Sequence, residues 1–216
     1  MTVSAKICGI STLSAAETAI ANGAAFLGFI HFAKSPRHLA LNPMADLMRS
    51  IRDRGHTLPL VSVVVDPDDE TLAVLRDTVK PDLIQLHGKE TPQRTADIAT
   101  MTGIGLIKAL SIGEAGDIAA AAAYEPHVQY LMFDAKPPKD AAMPGGLGVR
   151  FDWTLMGGYH GEKPWFLAGG ITASNVAEAI TQSHARLVDV SSGVESAPGI
   201  KDPELISRFL TTVKSL

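Results

Sequence analysis

The sequence predicts an α/β protein of the (β/α)8 barrel class, and two observations carry this prediction. Eight short runs rich in Val, Ile, Leu and Phe recur along the 216 residues, about one every 27 residues, which suits a compact barrel with few insertions. The runs are apolar throughout rather than alternating, as in parallel strands that are covered on both faces. We therefore expect a single barrel domain spanning residues 1–216.

The apolar runs alternate with segments of helical pattern. The predicted strands lie at residues 5–10, 25–32, 59–66, 82–87, 104–110, 128–135, 165–170 and 186–193. The helix-like segments lie at residues 12–22, 43–54, 68–79, 90–102, 114–124, 151–157, 174–183 and 202–214. Several of these helices begin with a capping acceptor or a proline, namely at Asp66-Pro67-Asp68, Thr91-Pro92 and Asp202-Pro203. A doubly wound open sheet is the main alternative, but the first strand lacks the GxGxxG typical of that fold.

Composition and charge narrow the class of protein. The formal net charge of −4 argues against a nucleic-acid or anionic membrane partner. A single cysteine excludes an internal disulfide and suits a reducing cytosol. No apolar run reaches the roughly 18 residues of a membrane span, and residues 1–10 lack a signal-peptide core. We expect a soluble cytoplasmic protein, and both a monomer and a homodimer are compatible with its surface composition.

Reactive side chains gather at the predicted carboxyl ends of the strands, which is where barrel chemistry is located. They are Cys8, His31, Asp66, His87, Lys108 and Asp134. All but Asp134 have a ready structural interpretation: the cysteine as a small buried hydrophobe, Asp66 as a turn residue, the histidines as core residues and the lysine as a snorkelling chain. Asp134 is harder to explain in this way, because it ends a strongly apolar strand. A thiol and a carboxyl on one rim would form an acid–base pair. The histidines lack metal-ligand spacing such as H-x-x-x-H, so we predict no metal site.

Three glycine- or serine-rich stretches fall in the last third of the chain. They are Gly145-Gly146-Leu147-Gly148, Gly169-Gly170 and Ser191-Ser192-Gly193. Glycines after strands 7 and 8 let backbone N–H groups approach an anion, and a short helix start would add its dipole. The alternative is that they form ordinary tight turns. Their position favours a phosphate site of the kind found in such barrels.

Taken together, these motifs resemble phosphoribosylanthranilate isomerase of tryptophan biosynthesis. The matching stretches are KICGIS (6–11), SPR (35–37), QLHG (85–88), FDA (133–135), GGLG with FDW (145–148 and 151–153), LAGGI with NV (167–171 and 175–176), VDVSSGVE (188–195) and PGIKD (198–202). The resemblance implies a cofactor-free barrel. It also implies an Amadori rearrangement of N-(5-phosphoribosyl)anthranilate to 1-(2-carboxyphenylamino)-1-deoxyribulose 5-phosphate.

The resemblance also implies roles for individual residues. Cys8 would be the general base, with its thiolate stabilised by neighbours, and Asp134 the general acid in a poorly solvated place. Arg37 would bind the anthranilate carboxylate through its planar fork. The expected substrate-binding set comprises Arg37, His87, Gly146, Gly148, Gly169, Gly170, Ser191, Ser192 and Gly193. Two departures from the family are Leu147, where Thr or Ser is usual, and Ser11, where Thr is frequent.

Two rival functions remain open. Sister phosphosugar isomerases of histidine biosynthesis resemble this barrel but use Asp where Cys8 stands, and indole-glycerol-phosphate synthase carries an added N-terminal segment. A non-catalytic phosphosugar-binding barrel would keep the glycines without needing both Cys8 and Asp134.

Two structural expectations also follow from the sequence. Lys6 and Asp189 should pair inside the barrel, because each lies on the inward face of a neighbouring strand. Residues 136–148 are expected to form a mobile loop that closes over substrate.

Overall fold

Eight parallel strands close into a barrel in the order of the chain. The computed structural model describes residues 2–136, 145–146 and 148–216. The strands are β1 Ser4–Cys8, β2 Phe26–His31, β3 Leu60–Val64, β4 Leu83–Leu86, β5 Gly105–Ile112, β6 Tyr130–Ala135, β7 Trp165–Leu167 and β8 Leu187–Val190. Because β1 pairs with both β2 and β8, the sheet has no open edge. The predicted (β/α)8 barrel is confirmed.

Seven α-helices accompany the strands in the described part of the chain. They are α1 Leu13–Ala21, α2 Leu41–Asp53, α3 Asp69–Val74, α4 Pro92–Thr102, α5 Ala115–Ala119, α6 Val176–Ser183 and α7 Pro203–Lys214. The caps follow the sequence pattern: Asp68, Thr91 and Asp202 each accept a hydrogen bond from a backbone N–H of the first helical turn. Among the described residues, no helix is long and apolar enough to cross a membrane.

Three predicted helices differ from the structure, those at residues 68–79, 114–124 and 151–157. In the first, α3 ends at Val74 and a π-helix follows at Leu75–Val79. Residues 151–157 were expected to form a helix, but Trp153–Gly158 forms a 3-10 helix, because the glycines at its end disfavour a regular α-helix. Residues 114–124 form the short α5, which continues as a 3-10 turn at Ala120–Ala123. A proline follows at 126, and its ring and missing N–H prevent an α-helix from continuing through it.

A short antiparallel ribbon follows β8 and was not predicted. A 3-10 turn at Ser192–Val194 leads into β9 Glu195–Ala197, which pairs with β10 Ile200–Lys201. The ribbon stands where the chain leaves the carboxyl end of β8. It therefore carries two charged side chains, Glu195 and Lys201, to the rim of the barrel.

The apolar core has two parts, one inside the barrel and one between the sheet and the helices. The inner part contains Phe26, Val61, Leu83, Ile107, Ala109, Met132, Phe166 and Ala168. The rings of Phe166 and Phe26 meet edge to face with their centroids 5.1 Å apart, an arrangement that aromatic pairs prefer. We call these inner side chains the apolar plug. Phe26 and Leu83 are the first residues of their strands, so the plug extends to the end of the barrel opposite the polar carboxyl-terminal end.

Replacing Phe166 should test how much the barrel interior depends on this plug. The side chain is fully buried, so Phe166→Ala should lower the free energy of unfolding by about 3–5 kcal/mol through lost burial and a new cavity. Urea denaturation followed by circular dichroism would measure it, with the milder Phe166→Leu as the control. Equal midpoints for the wild type and Phe166→Ala would contradict this packing.

Candidate active site

A cleft opens at the carboxyl ends of the strands and collects nearly all the predicted site residues. Its volume is about 830 Å³, counting the open space at its mouth. The predicted residues that line it are Cys8, Arg37, His87, Asp134, Gly146, Gly148, Gly169, Gly170, Ser191 and Ser192. The barrel geometry therefore brings together side chains that lie up to 184 positions apart in the sequence.

Cys8 is the last residue of β1 and is 5% exposed. Its carbonyl oxygen accepts a hydrogen bond from Ser191 Oγ at 3.2 Å, which ties the end of β1 to the end of β8. Burial raises the pKa of the Cys8 thiol, and the positive charges of Lys6 and Lys201 offset this only in part. Asp189 raises it further, so the net direction of the Cys8 pKa is upward, and stabilisation of the thiolate by its neighbours stays a prediction.

Asp134 occupies the corresponding position near the end of β6, and its two oxygens have different partners. Oδ1 accepts from the backbone N–H of Ala135 at 2.8 Å, while Oδ2 lies 3.2 Å from His87 Nε2. The Gln85 amide nitrogen lies 2.9 Å from His87 Nδ1. Because an amide nitrogen can only donate, this contact leaves the ring proton on Nε2, facing the carboxylate. At 5% exposure, Asp134 lies in the poorly solvated place that we expected.

Two glycines allow the backbone to approach this carboxyl group closely. A methyl group on Gly145 would lie 2.6 Å from Asp134 Oδ2 and 2.7 Å from His87 Nε2. A methyl group on Gly169 would lie 2.9 Å from Asp134 Oδ1. Any larger residue would displace the carboxyl group, so these glycines provide space for Asp134 as well as turns.

The glycine turns form one connected wall of the cleft. Gly148 and Gly170 both have positive φ, at 71° and 62°, a conformation that favours glycine. A methyl group on Gly170 would lie 2.8 Å from the carbonyl oxygen of Gly148, so the two turns pack directly together. Asn175 holds the second turn: its Nδ2 donates to Gly170 O at 2.9 Å, and its Oδ1 accepts from Thr172 N at 2.8 Å.

The stretch Ser191-Ser192-Gly193 differs from its predicted structure in two respects. Gly193 lies behind the cleft lining, where a side chain would collide with the carbonyl oxygen of Ile171. The expected helix after β8 is a 3-10 turn of three residues, Ser192–Val194. Such a turn is too short to build up a helix dipole, so this side of the cleft offers Ser191, Ser192 and backbone groups instead.

Arg37 is held by a buried acidic partner that the sequence analysis did not assign. Its Nε and Nη2 donate to the two carboxylate oxygens of Glu195 at 2.6 and 2.8 Å. Glu195 also accepts from Lys201 Nζ at 2.6 Å. Burial alone would raise the pKa of Glu195, but the hydrogen bonds and charges of Arg37 and Lys201 outweigh it and hold that pKa low. The Nη1 group of Arg37 faces Gly146 at the cleft wall.

Three of the rim candidates belong to other parts of the structure. His31 Nδ1 contacts the carbonyl oxygen of Leu39 at 2.9 Å, outside the cleft lining. Asp66 has φ 47° and accepts from Lys89 N at 2.6 Å, as a turn residue does. Lys108 is 2% exposed and pairs with Glu90 at 2.7 Å, so it is buried rather than snorkelling.

Two expectations concern residues that the structure does not describe. Leu147 and most of the proposed loop at residues 136–148 lie outside the described residues. In the described ranges, no three His, Cys, Asp or Glu side chains are grouped as ligands for a metal ion.

Comparison with known proteins identifies the family. Residues 5–212 match the model of the family described as N-(5'phosphoribosyl)anthranilate (PRA) isomerase. The chain belongs to the phosphoribosylanthranilate isomerase family. Two curated N-(5'-phosphoribosyl)anthranilate isomerases are similar to it over nearly their whole lengths. The protein from Caulobacter sp. (strain K31) is 52% identical over 98% of this chain and 99% of its own. The protein from Caulobacter vibrioides is 51% identical over 97% of this chain and 95% of its own.

Solved phosphoribosylanthranilate isomerases share the barrel. The enzyme from Thermotoga maritima superposes with a TM-score of 0.84 at 29% identity, covering 100% of both chains. A second solved structure is a complex with reduced 1-(o-carboxyphenylamino)-1-deoxyribulose 5-phosphate. It superposes with a TM-score of 0.81 at 28% identity, also over 100% of both chains.

Removing the charge of Glu195 should destabilise the protein in a pH-dependent way. Glu195→Gln leaves Arg37 and Lys201 without their buried counter-charge, so we expect a loss of about 3 kcal/mol of unfolding free energy at pH 7. Because the folded pKa of Glu195 is lowered, this stabilisation is present above its unfolded value of 4.5 and is lost as the pH falls through the folded value. The gap between wild type and variant should therefore narrow in acid.

Urea denaturation at several pH values would test this, with the exposed Glu162→Gln as the matched control. A loss of stability that stayed constant from neutral to acid pH would contradict a role for the carboxylate charge.

Proposed function

We propose that this protein converts N-(5-phosphoribosyl)anthranilate to 1-(2-carboxyphenylamino)-1-deoxyribulose 5-phosphate by an Amadori rearrangement in tryptophan biosynthesis. The observation that carries the proposal is the placement of one thiol and one carboxyl in the same cleft. Cys8 ends β1 and Asp134 lies near the end of β6, and two strands, β7 and β8, separate these in the closed sheet. The two groups therefore approach a bound sugar from different walls.

Asp134 acts first, as general acid. Its carboxyl proton passes to the furanose ring oxygen as the bond from that oxygen to C1 breaks, while the anilino nitrogen lone pair forms the C1=N bond of a protonated Schiff base. The group is then a carboxylate, which the Nε2 proton of His87, 3.2 Å away, is placed to stabilise. A hydrogen bond to a charged acceptor is stronger than a neutral one.

Cys8 acts second, as general base. Its thiolate removes the proton from C2, and the electrons of that C–H bond form C1=C2 while the C=N electrons return to nitrogen. The resulting enolamine becomes the ketone when its C2 hydroxyl loses a proton and C1 gains one. These reaction steps need no redox partner and no cofactor, because every proton and electron pair stays within the enzyme, the substrate and water.

Two further walls of the cleft offer groups that would bind the ends of the substrate. The glycine turns at Gly148 and Gly170 both line the cleft, and exposed backbone N–H groups in such turns would hold the phosphate. Arg37 is fixed by Glu195 on one edge of its fork, which leaves Nη1 to bind the anthranilate carboxylate. Its anchoring fixes the direction of that contact before substrate arrives, and such preorganisation favours binding.

The assay that decides this proposal follows the loss of anthranilate-type fluorescence on incubation with phosphoribosylanthranilate. Turnover supports the isomerase. Tight binding without turnover would favour a non-catalytic phosphosugar barrel, and turnover of only the histidine-pathway aminoaldose would favour the sister isomerase. We further propose a cytoplasmic location, since the reaction needs Cys8 as a free thiol and that compartment keeps thiols reduced.

Removing either acid–base group should abolish most of the rate without unfolding the barrel. Cys8→Ala and Asp134→Asn should each lower kcat by about 10²–10⁴-fold, the usual contribution of general acid–base catalysis. Steady-state kinetics would measure this, with Asp46→Asn, an exposed carboxyl on α2, as the matched control. Near-wild-type kcat in either site variant would remove that residue from the mechanism.

A further inference from the structure

The mechanism requires a thiolate at a position where burial opposes it, so a nearby group must compensate. We propose that Lys6, kept charged by Asp189, is a positioning residue that stabilises the thiolate of Cys8. This inference rests on the proposed role of Cys8 as the base. It assigns a function to a buried ion pair that would otherwise be a structural feature of the barrel interior.

The ion pair is completely internal and is fixed by the pairing of two strands. Lys6 lies opposite Asp189 where β1 pairs with β8, and its Nζ donates to Asp189 Oδ1 at 2.8 Å. The lysine is 0% exposed. This contact inside the barrel confirms the pair predicted from the sequence. An ammonium group has three donors, and among the described residues this one donates to a single oxygen. The other donors are available to a second anion.

Gly28 shows where that second anion would form. Gly28 lies opposite Cys8 where β1 pairs with β2, and a methyl group built on it would lie 2.9 Å from both Cys8 Sγ and Lys6 Nζ. The sulfur of Cys8 and the ammonium of Lys6 therefore both lie beside the backbone of Gly28 on β2. Gly28 is not among the glycines with positive φ, so the turn conformation that usually calls for glycine is not the reason for it here. The space that it leaves lets the two head groups share one side of the barrel.

The other charged groups around Cys8 are less suited to this task. Lys201 Nζ already donates to Glu195 at 2.6 Å and to Ser191 O at 2.9 Å. Asp189 is negative and acts against the thiolate directly, although it keeps Lys6 protonated. Arg37, His87 and Asp134 line other walls of the cleft, and each has its own partner. Among the described cations near the sulfur, Lys6 is the one with donors to spare.

The test measures the ionisation of Cys8 directly and does not depend on turnover. Cys8 is the only cysteine in the chain, so the rate of alkylation by iodoacetamide as a function of pH reports its thiolate alone. Lys6→Met should raise the midpoint of that profile by at least about one pH unit, a tenfold or greater loss of reactivity at neutral pH. Lys6→Arg, which retains a positive charge, should recover much of the shift.

Lys108→Met is the matched control, because Lys108 is also a buried lysine in an ion pair but belongs to the Glu90 site. Its alkylation midpoint should equal that of the wild type. Gly28→Ala provides a second route if Lys6→Met does not fold. It keeps both charges, puts a methyl group within 2.9 Å of each head group, so that the two must move, and should also raise the midpoint.

An unchanged midpoint in folded Lys6→Met or Gly28→Ala would overturn the inference, as would an equal rise in Lys108→Met. Failure of the wild type to turn over phosphoribosylanthranilate would refute the proposed function instead. The alkylation profiles would still decide whether Lys6 controls the thiol.

Discussion

The pairing of β1 with β8, which closes the barrel, is the constraint on which the rest of the site depends. It sets Lys6 opposite Asp189 inside the sheet and brings Ser191 Oγ to the carbonyl oxygen of Cys8. A buried lysine without a partner would be strongly unfavourable. Closure therefore satisfies the charge and fixes the position of the only thiol in the same step. An open sheet of the same strands would expose Lys6 and Asp189 on two separate edges.

The two proposed catalytic groups sit in contrasting surroundings. Asp134 is enclosed by backbone at Gly145 and Gly169 and contacts one imidazole, that of His87. Cys8 instead faces a cation, Lys6, across a space that Gly28 leaves open. A carboxyl group that acts as an acid must stay protonated until substrate arrives, whereas a thiol that acts as a base must already be ionised, so the two need opposite environments. The barrel supplies the two environments on separate walls.

Much of the fold could be predicted from the sequence, because barrel strands are periodic and their order follows the chain. The pairing of Lys6 with Asp189 needed only strand parity and the rule that the first and last strands meet. The partner of Arg37 could not be found this way, because Glu195 lies on a ribbon whose path depends on loop packing. The same holds for Lys108 and Glu90. Loops lack the periodic pattern of strands, so the sequence does not indicate which partners their side chains will contact.

If Cys8 and Asp134 act on one sugar from different walls, a bound product analogue should contact both groups at once. The measurement is a crystal structure of this protein with reduced 1-(o-carboxyphenylamino)-1-deoxyribulose 5-phosphate. We expect Cys8 Sγ within about 4 Å of C2, the Asp134 carboxyl in hydrogen-bond reach of the C4 oxygen, and the phosphate against Gly148 and Gly170. A pose that places C2 beside His87, or the phosphate beside Arg37, would contradict it.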